Sequence, residues 1–133
     1  MKGILLLRGL SRSIYLLADE DGVCEVKNYF EENKDNPSTN GYVFGFIKYF
    51  NEIKDSGFLK FNKTQKKCWE EKGDKFCELL KGPERLSFFD YSEESKVLIL
   101  THFSKHAMKE KREYKRAIRL RKRFEENPVW EEG

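Results

Sequence analysis

The run Val97-Leu98-Ile99-Leu100, followed by Thr101-His102-Phe103, restricts this chain more than any other feature. A strand points alternate side chains to opposite faces, so a run that is apolar at every position needs packing on both. It therefore predicts a strand in the middle of a sheet, with helices over one face and other packing behind. Arg85 to Tyr91 is a second aromatic-rich run, joined to the first by Ser92-Glu93-Glu94-Ser95 and entered through a Gly82-Pro83 turn. Together the two runs form the clearest hairpin in the sequence.

The other elements arrange themselves around that hairpin. Ile4 to Leu7 and Ile14 to Ala18 read as an N-terminal hairpin, closed by the turn-forming Asp19-Glu20-Asp21-Gly22. A helical hairpin is expected next. Its first helix carries Val26, Tyr29 and Phe30 and stops near Asn33 to Pro37; the second buries Val43, Phe46, Ile47, Phe50 and Ile53. Ser38, Thr39 or Asn40 can cap the second helix and Gly57 suits its stop. Phe58 to Lys67 is ambiguous, the charged Trp69 to Lys75 reads as a loop, and Phe76 to Leu80 as a strand. Glu110 to Glu126 lacks Gly and Pro, and Tyr114, Ala117, Ile118 and Phe124 give it a narrow apolar stripe, as expected of a helix closing over the sheet. Pro128 ends that helix and leaves a loose tail over 128–133. The expectation is one α+β domain over residues 1–133, with an antiparallel-rich C-terminal sheet.

At 133 residues the chain can bury a core without covalent staples. Cys24, Cys68 and Cys77 are odd in number and lack CxxC or Cys/His ligand spacing, so neither a disulfide framework nor a metal site is expected, and a reducing cytoplasm is the simpler setting. The apolar start ends at Arg8 without a small-residue cleavage site, and no stretch has the length to span a bilayer, so no membrane partner is expected.

Net charge is only +3, but the average hides a polarised chain. Between Lys105 and Arg123, 10 Lys/Arg face two Glu, a local charge of +8 that leaves −5 for everything else. Such a segment can neutralise phosphates and release their counterions, which makes RNA or DNA the leading partner class. A solvated cationic helix without a ligand is the structural alternative.

Several motifs in the C-terminal half resemble the HigB branch of the RelE toxin superfamily. Cys77-Glu78-Leu79 is similar to that family's "Glu-Leu" strand, and Arg85-Leu86-Ser87-Phe88-Phe89 to its strand of Arg followed by apolar and aromatic residues. Val97 to Lys105 resembles its apolar strand ending in a His/Phe/Lys signature, and Arg112 to Arg123 its Arg-rich helix with an Ala117-Ile118 pair. Two positions depart from the pattern: Leu80 stands where many relatives carry Arg, and His106 where they carry a second Lys followed by Pro.

The resemblance implies a RelE-like fold and a toxin that cuts messenger RNA, usually in the ribosomal A site, by letting a ribose 2′-OH attack the adjacent phosphate without a metal or other cofactor. It also implies a small helix-turn-helix antitoxin as partner. That chemistry needs a group to take the 2′-OH proton, positive charge for the transition state and a proton for the departing 5′ oxygen. Arg85 is the first candidate to clamp the scissile phosphate, because a planar guanidinium engages two oxygens at once. Its structural alternative is an ion pair with Glu84 or Glu78. Lys105 can stabilise transition-state charge or be a plain loop lysine. His102 and His106 are the two candidate proton carriers. By strand alternation His102 shares a face with Leu98 and Leu100, so it can equally be a hydrogen-bonded sheet histidine. Lys81, Lys109, Arg112, Lys115, Arg116, Arg119, Lys122 and Arg123 are expected to hold RNA backbone, in message or ribosome. Phe88, Phe89, Tyr91 and Tyr114 read as core rather than as base-stacking groups. A non-catalytic RNA- or ribosome-binding module on the same fold and a DNA-binding accessory protein are the alternatives.

Overall fold

The computed structural model describes residues 1–105 and 110–132. Its elements run β1 (Lys2–Leu7), β2 (Ser13–Ala18), α1 (Glu25–Asn33), α2 (Asn40–Ser56), β3 (Lys66–Glu71), β4 (Asp74–Lys81), β5 (Glu84–Tyr91), a 3-10 turn (Ser92–Glu94), β6 (Lys96–Ser104), α3 (Glu110–Glu126) and β7 (Trp130–Glu131). The class is α+β. All seven strands join one sheet in the order β3-β4-β5-β6-β2-β1-β7, which puts β6 at the centre. The β2–β6 and β1–β7 pairs are parallel and the other pairs antiparallel.

The doubly apolar β6 acts as its sequence demands. Val97 and Ile99 enter a core with Ile14, Leu16, Leu86 and Phe88 beneath α1 and α2, whereas Leu98 and Leu100 enter a second core with Tyr15, Leu17 and the α3 residues Ala117 and Phe124. The sheet is thus sandwiched, with α1 and α2 on one face and α3 on the other. Each fully buried aliphatic or aromatic side chain contributes about 1.5–3 kcal/mol, so both layers are needed to bury this strand. On α2, Val43, Phe46, Phe50 and Ile53 are buried as expected, but Ile47 is exposed and Gly45 is buried in its place. Gly57 closes α2 at φ 68°, a conformation that favours glycine, and its N–H donates to the Ile53 carbonyl at 2.9 Å.

Four features correct the sequence reading. Trp69 to Lys75 is not a loop but the turn end of a β-hairpin, β3–β4, turned by Lys72 (φ 51°) and Gly73 (φ 85°). Positive φ at both turn residues is the geometry whose twist matches the flanking strands. That hairpin sets Cys68 opposite Cys77, and the two form a disulfide, so the expectation of unpaired cysteines fails on strand register. The tail is not loose over its described residues, 128–132: β7 pairs with β1, and Trp130 packs against Tyr15, Tyr91 and Phe124.

The fourth correction concerns His102. Ile99 pairs with Phe88 and Thr101 with Ser87, so β6 advances two residues where β5 advances one. Leu100 is the extra residue of a β-bulge, and beyond it the alternation is inverted. His102 therefore leaves the face of Leu98 and Leu100 and stacks on Tyr29 of α1, ring centroids 3.6 Å apart. Phe103 turns instead toward Tyr114 of α3.

Candidate nucleic-acid interface

Helix α3 has three sides with different work to do. Its apolar side seals the second core. The flanks are tied down by ion pairs: Arg116 donates to both Glu25 oxygens at 2.8 and 3.0 Å and to Glu113 at 3.1 Å, Lys122 meets Asp74 at 2.7 Å, and Arg123 meets Glu20. Burial pulls the Arg116 pKa down, but the two carboxylates outweigh it and hold the guanidinium above its ordinary value. Glu25 also accepts the His102 backbone N–H at 2.7 Å, so this one carboxylate joins α1, β6 and α3 around the end of the sheet. Of the residues expected to hold RNA, then, Arg116, Lys122 and Arg123 already have carboxylate partners. Arg112, Lys115 and Arg119, together with Lys111, have none among the described residues. At spacings of three and four they form one outward stripe.

The first turns of α3 lie over the β4–β5 end of the sheet. There Glu78 is 2% exposed and Arg85 8% exposed. Trp69 donates its indole N–H to Glu78 Oε1 at 2.8 Å, and the Tyr114 hydroxyl reaches the same oxygen at 3.4 Å. Glu78 Oε2 has no hydrogen-bond partner among the described residues. Burial pushes the Glu78 carboxyl up, against the Trp69 N–H and the positive charge of Arg85, which favour the ionised form. Burial and the Glu78 carboxylate together raise the Tyr114 phenol, so it remains a neutral donor.

Arg85 pairs across the sheet with Phe103, and its Nη1 donates to the carbonyls of Gly82 at 2.7 Å and Glu84 at 3.0 Å. Neither Glu84 nor Glu78 forms the direct ion pair weighed for it from sequence. Lys105 is exposed at the same sheet end, where its backbone N–H donates to Pro83 O at 2.7 Å. Arg85 and Lys105 are thus brought together in backbone terms, beside the stripe on α3.

His102 is on the opposite face, with its Nε2 3.1 Å from Glu84 Oε2. Lys81 also turns away, crossing buried Gly45 to lie over the Tyr49 ring at 5.9 Å. His106 and Lys109 lie outside the described residues. Phe88 is core as expected, while Tyr114 is half-buried and stacks on Trp69 at 5.4 Å.

Sequence reading passed over Trp69, Glu78 and Glu25 as site residues. A signal for the first two was present: Lys72-Gly73 is flanked symmetrically by Cys68 and Cys77, and a hairpin about that turn puts Trp69 and Glu78 on its other face. No group of three or more His, Cys, Asp or Glu placed to hold a metal ion occurs among the described residues. Nor is any described helix long and apolar enough to cross a membrane.

No protein-family model, curated protein or solved structure matches this chain.

Proposed function

We propose that this chain binds RNA along the free stripe of α3 and cleaves it at the adjoining sheet end, as a toxin with a RelE-like fold; a cytoplasmic setting follows from the family resemblance alone, because the Cys68–Cys77 disulfide removes the cysteine argument for a reducing compartment. The observation that carries the reading is the division of labour on α3. Four of its cations, Arg116, Arg121, Lys122 and Arg123, are held by carboxylates, whereas Lys111, Arg112, Lys115 and Arg119 stand together with no such partner among the described residues, next to the strand ends that bear Arg85 and Lys105. Four adjacent cations suit a polyanion better than they suit folding, since like charges on one helix side repel.

In the proposed reaction a ribose 2′ oxygen attacks the neighbouring phosphorus, the bond from phosphorus to the 5′ oxygen breaks, and a 2′,3′-cyclic phosphate and a 5′-hydroxyl result. The 2′-OH gives up one proton and the departing oxygen takes one. Arg85 and Lys105 supply positive charge to the crowded phosphate, and His106 is the proton carrier kept from the sequence reading. His102 is assigned instead to holding α1 on the sheet, through Tyr29 and Glu84. Message in the ribosomal A site is the proposed substrate and a helix-turn-helix antitoxin the proposed inhibitor, both on the strength of the family resemblance.

A second reading has one specific observation in its favour. Arg85 is nearly buried, with its Nη1 engaged by two carbonyls, which suits a non-catalytic RNA- or ribosome-binding module. Primer extension on message from cells expressing the chain separates the two. New 5′ ends on translated message support cleavage, whereas slowed translation with intact message supports binding alone. Unchanged translation together with no affinity for RNA would overturn both.

A further inference from the structure

Trp69 is the largest side chain left conspicuously open near the cationic stripe, at 40% exposure on an outermost strand. It is not loosely held. Tyr114 stacks against it with 26° between the ring planes, Glu78 accepts its indole N–H, and the neighbouring rung of the ladder is the Cys68–Cys77 disulfide. The hairpin that carries it runs beside α3, with Asp74 bonded to Lys122 and the Lys75 carbonyl to Arg121. A groove is left between them, lined by Lys72, Lys115, Ile118 and Arg119, with the carboxylates of Asp74, paired to Lys122, and Glu126 also on its wall. Trp69 stands on the same hairpin, against Tyr114, one turn along α3 from Ile118. A rigid aromatic ring and a row of cations are the two parts of a single-strand binding path: the cations follow the phosphates and the ring stacks a base.

We infer that Trp69 is a base-stacking platform, on which one nucleobase of single-stranded RNA lies while its flanking phosphates run through the groove between the β3–β4 hairpin and α3. This rests on the RNA-binding reading above and adds the place where the strand is gripped. Preorganisation by Tyr114, Glu78 and the disulfide spares the ring the entropy of being ordered on binding. The edge position leaves room for the base, because no further strand lies beyond β3 among the described residues. Stacking tolerates any base, so the platform grips the strand without reading sequence.

The test uses the full chain and a 12-mer of oligouridylate. In a Trp130→Phe background only Trp69 reports tryptophan fluorescence, and saturation with the oligomer is expected to quench it. Trp69→Ala should bind about 5- to 150-fold more weakly at fixed salt, the loss that follows removal of one base–aromatic stack. The slope of affinity against salt should stay unchanged, because no phosphate contact is removed. Trp69→Phe, which keeps an aromatic face and loses the bond to Glu78, should recover most of the affinity and guards against a folding defect in the Ala variant. A merely structural tryptophan gives the opposite result: no quenching, or equal affinity in Trp69→Ala, overturns the inference while leaving RNA binding intact. If the unmodified chain fails to bind the oligomer at all, the RNA reading falls and the platform with it.

Discussion

Removal of the Trp130 side chain measures how far the last residues belong to the fold. Its ring sits 4.8 Å from Tyr15, 5.5 Å from Tyr91 and 4.9 Å from Phe124 between centroids, and Lys96 Nζ lies 4.8 Å over it. Truncating a fully buried Trp to Ala costs about 3–5 kcal/mol. Trp130 is only half-buried, but its edge-to-face ring pairs add to the area term, so about 3 kcal/mol is expected for Trp130→Ala. Ending the chain at Asn127 also removes the bond from Gly3 N–H to the Val129 carbonyl at 2.8 Å, and about 4 kcal/mol follows. The exposed pairs Lys2–Glu131 and Arg8–Glu132 are left out of both figures because water screens them. For a chain of 133 residues, 3 kcal/mol lowers the melting temperature by about 10 °C, readable by circular dichroism. Gly3 supplies a control, since a Cβ there would stand 2.9 Å from the Trp130 ring. Gly3→Ala should therefore destabilise the intact chain much more than it destabilises Trp130→Ala, a coupling that only direct contact produces. A truncated chain melting within about 2 °C of the full one, or additive effects of the two substitutions, would refute the packing of β7.

Four free cations predict that log affinity for single-stranded RNA falls against log salt with a slope of about −3, and that Lys115→Gln with Arg119→Gln roughly halves it; an unchanged slope takes those two residues out of the interface. Arg85→Ala should abolish cleavage and cost about 2 kcal/mol by leaving the Gly82 and Glu84 carbonyls unpaired, with the fold retained; full toxicity in that variant removes Arg85 from the site. Because burial raises the Glu78 pKa above 4.5, its folded-state carboxyl holds its proton longer than the unfolded one, so the stability it confers is complete below that pH and is lost as pH rises through the raised value. In urea titrations from pH 4 to 8, Glu78→Gln should thus gain on the parent protein as pH rises, and a pH-independent gap would contradict the assignment. Replacing both Cys68 and Cys77 by Ser opens a short loop and should cost about 2–3 kcal/mol, measured by urea denaturation under non-reducing conditions; equal midpoints would mean that the hairpin needs no staple.

What the sequence disclosed and what it hid divide along one line, the range of the interaction. Periodicity within a segment located both helices of the first layer, the basic closing helix and the β5–β6 hairpin, because burial of Val43, Phe46, Phe50 or Ala117 recurs at the spacing of the element itself. The β3–β4 hairpin escaped because its strands carry six Lys, Asp and Glu over 66–75, and on an edge strand the outward charges mask the period. The anchoring of Trp130 was illegible for another reason: its partners Tyr15, Tyr91 and Phe124 come from three separate elements, and no local pattern announces such a meeting. His102 shows the most instructive failure. Alternation gave the face of every β6 residue up to Leu100, and a single bulge reversed the face of everything after it.

That reversal also decides which candidate residues can act together. With regular alternation through Leu100, His102 would stand on the α3 side with Leu98, above the helix that carries the free cations. The bulge moves it to Tyr29 and brings Phe103 under Tyr114 instead, so the floor beneath the first turns of α3 is aromatic. Glu78 and Arg85 are buried beside that floor, and Tyr114 and Trp69 cap Glu78 through their bonds to its Oε1. One inserted residue in β6 thus fixes the character of the whole sheet end: charge held below, rings above it, and the unpaired cations of α3 along the rim, where a phosphate chain can reach them from solvent.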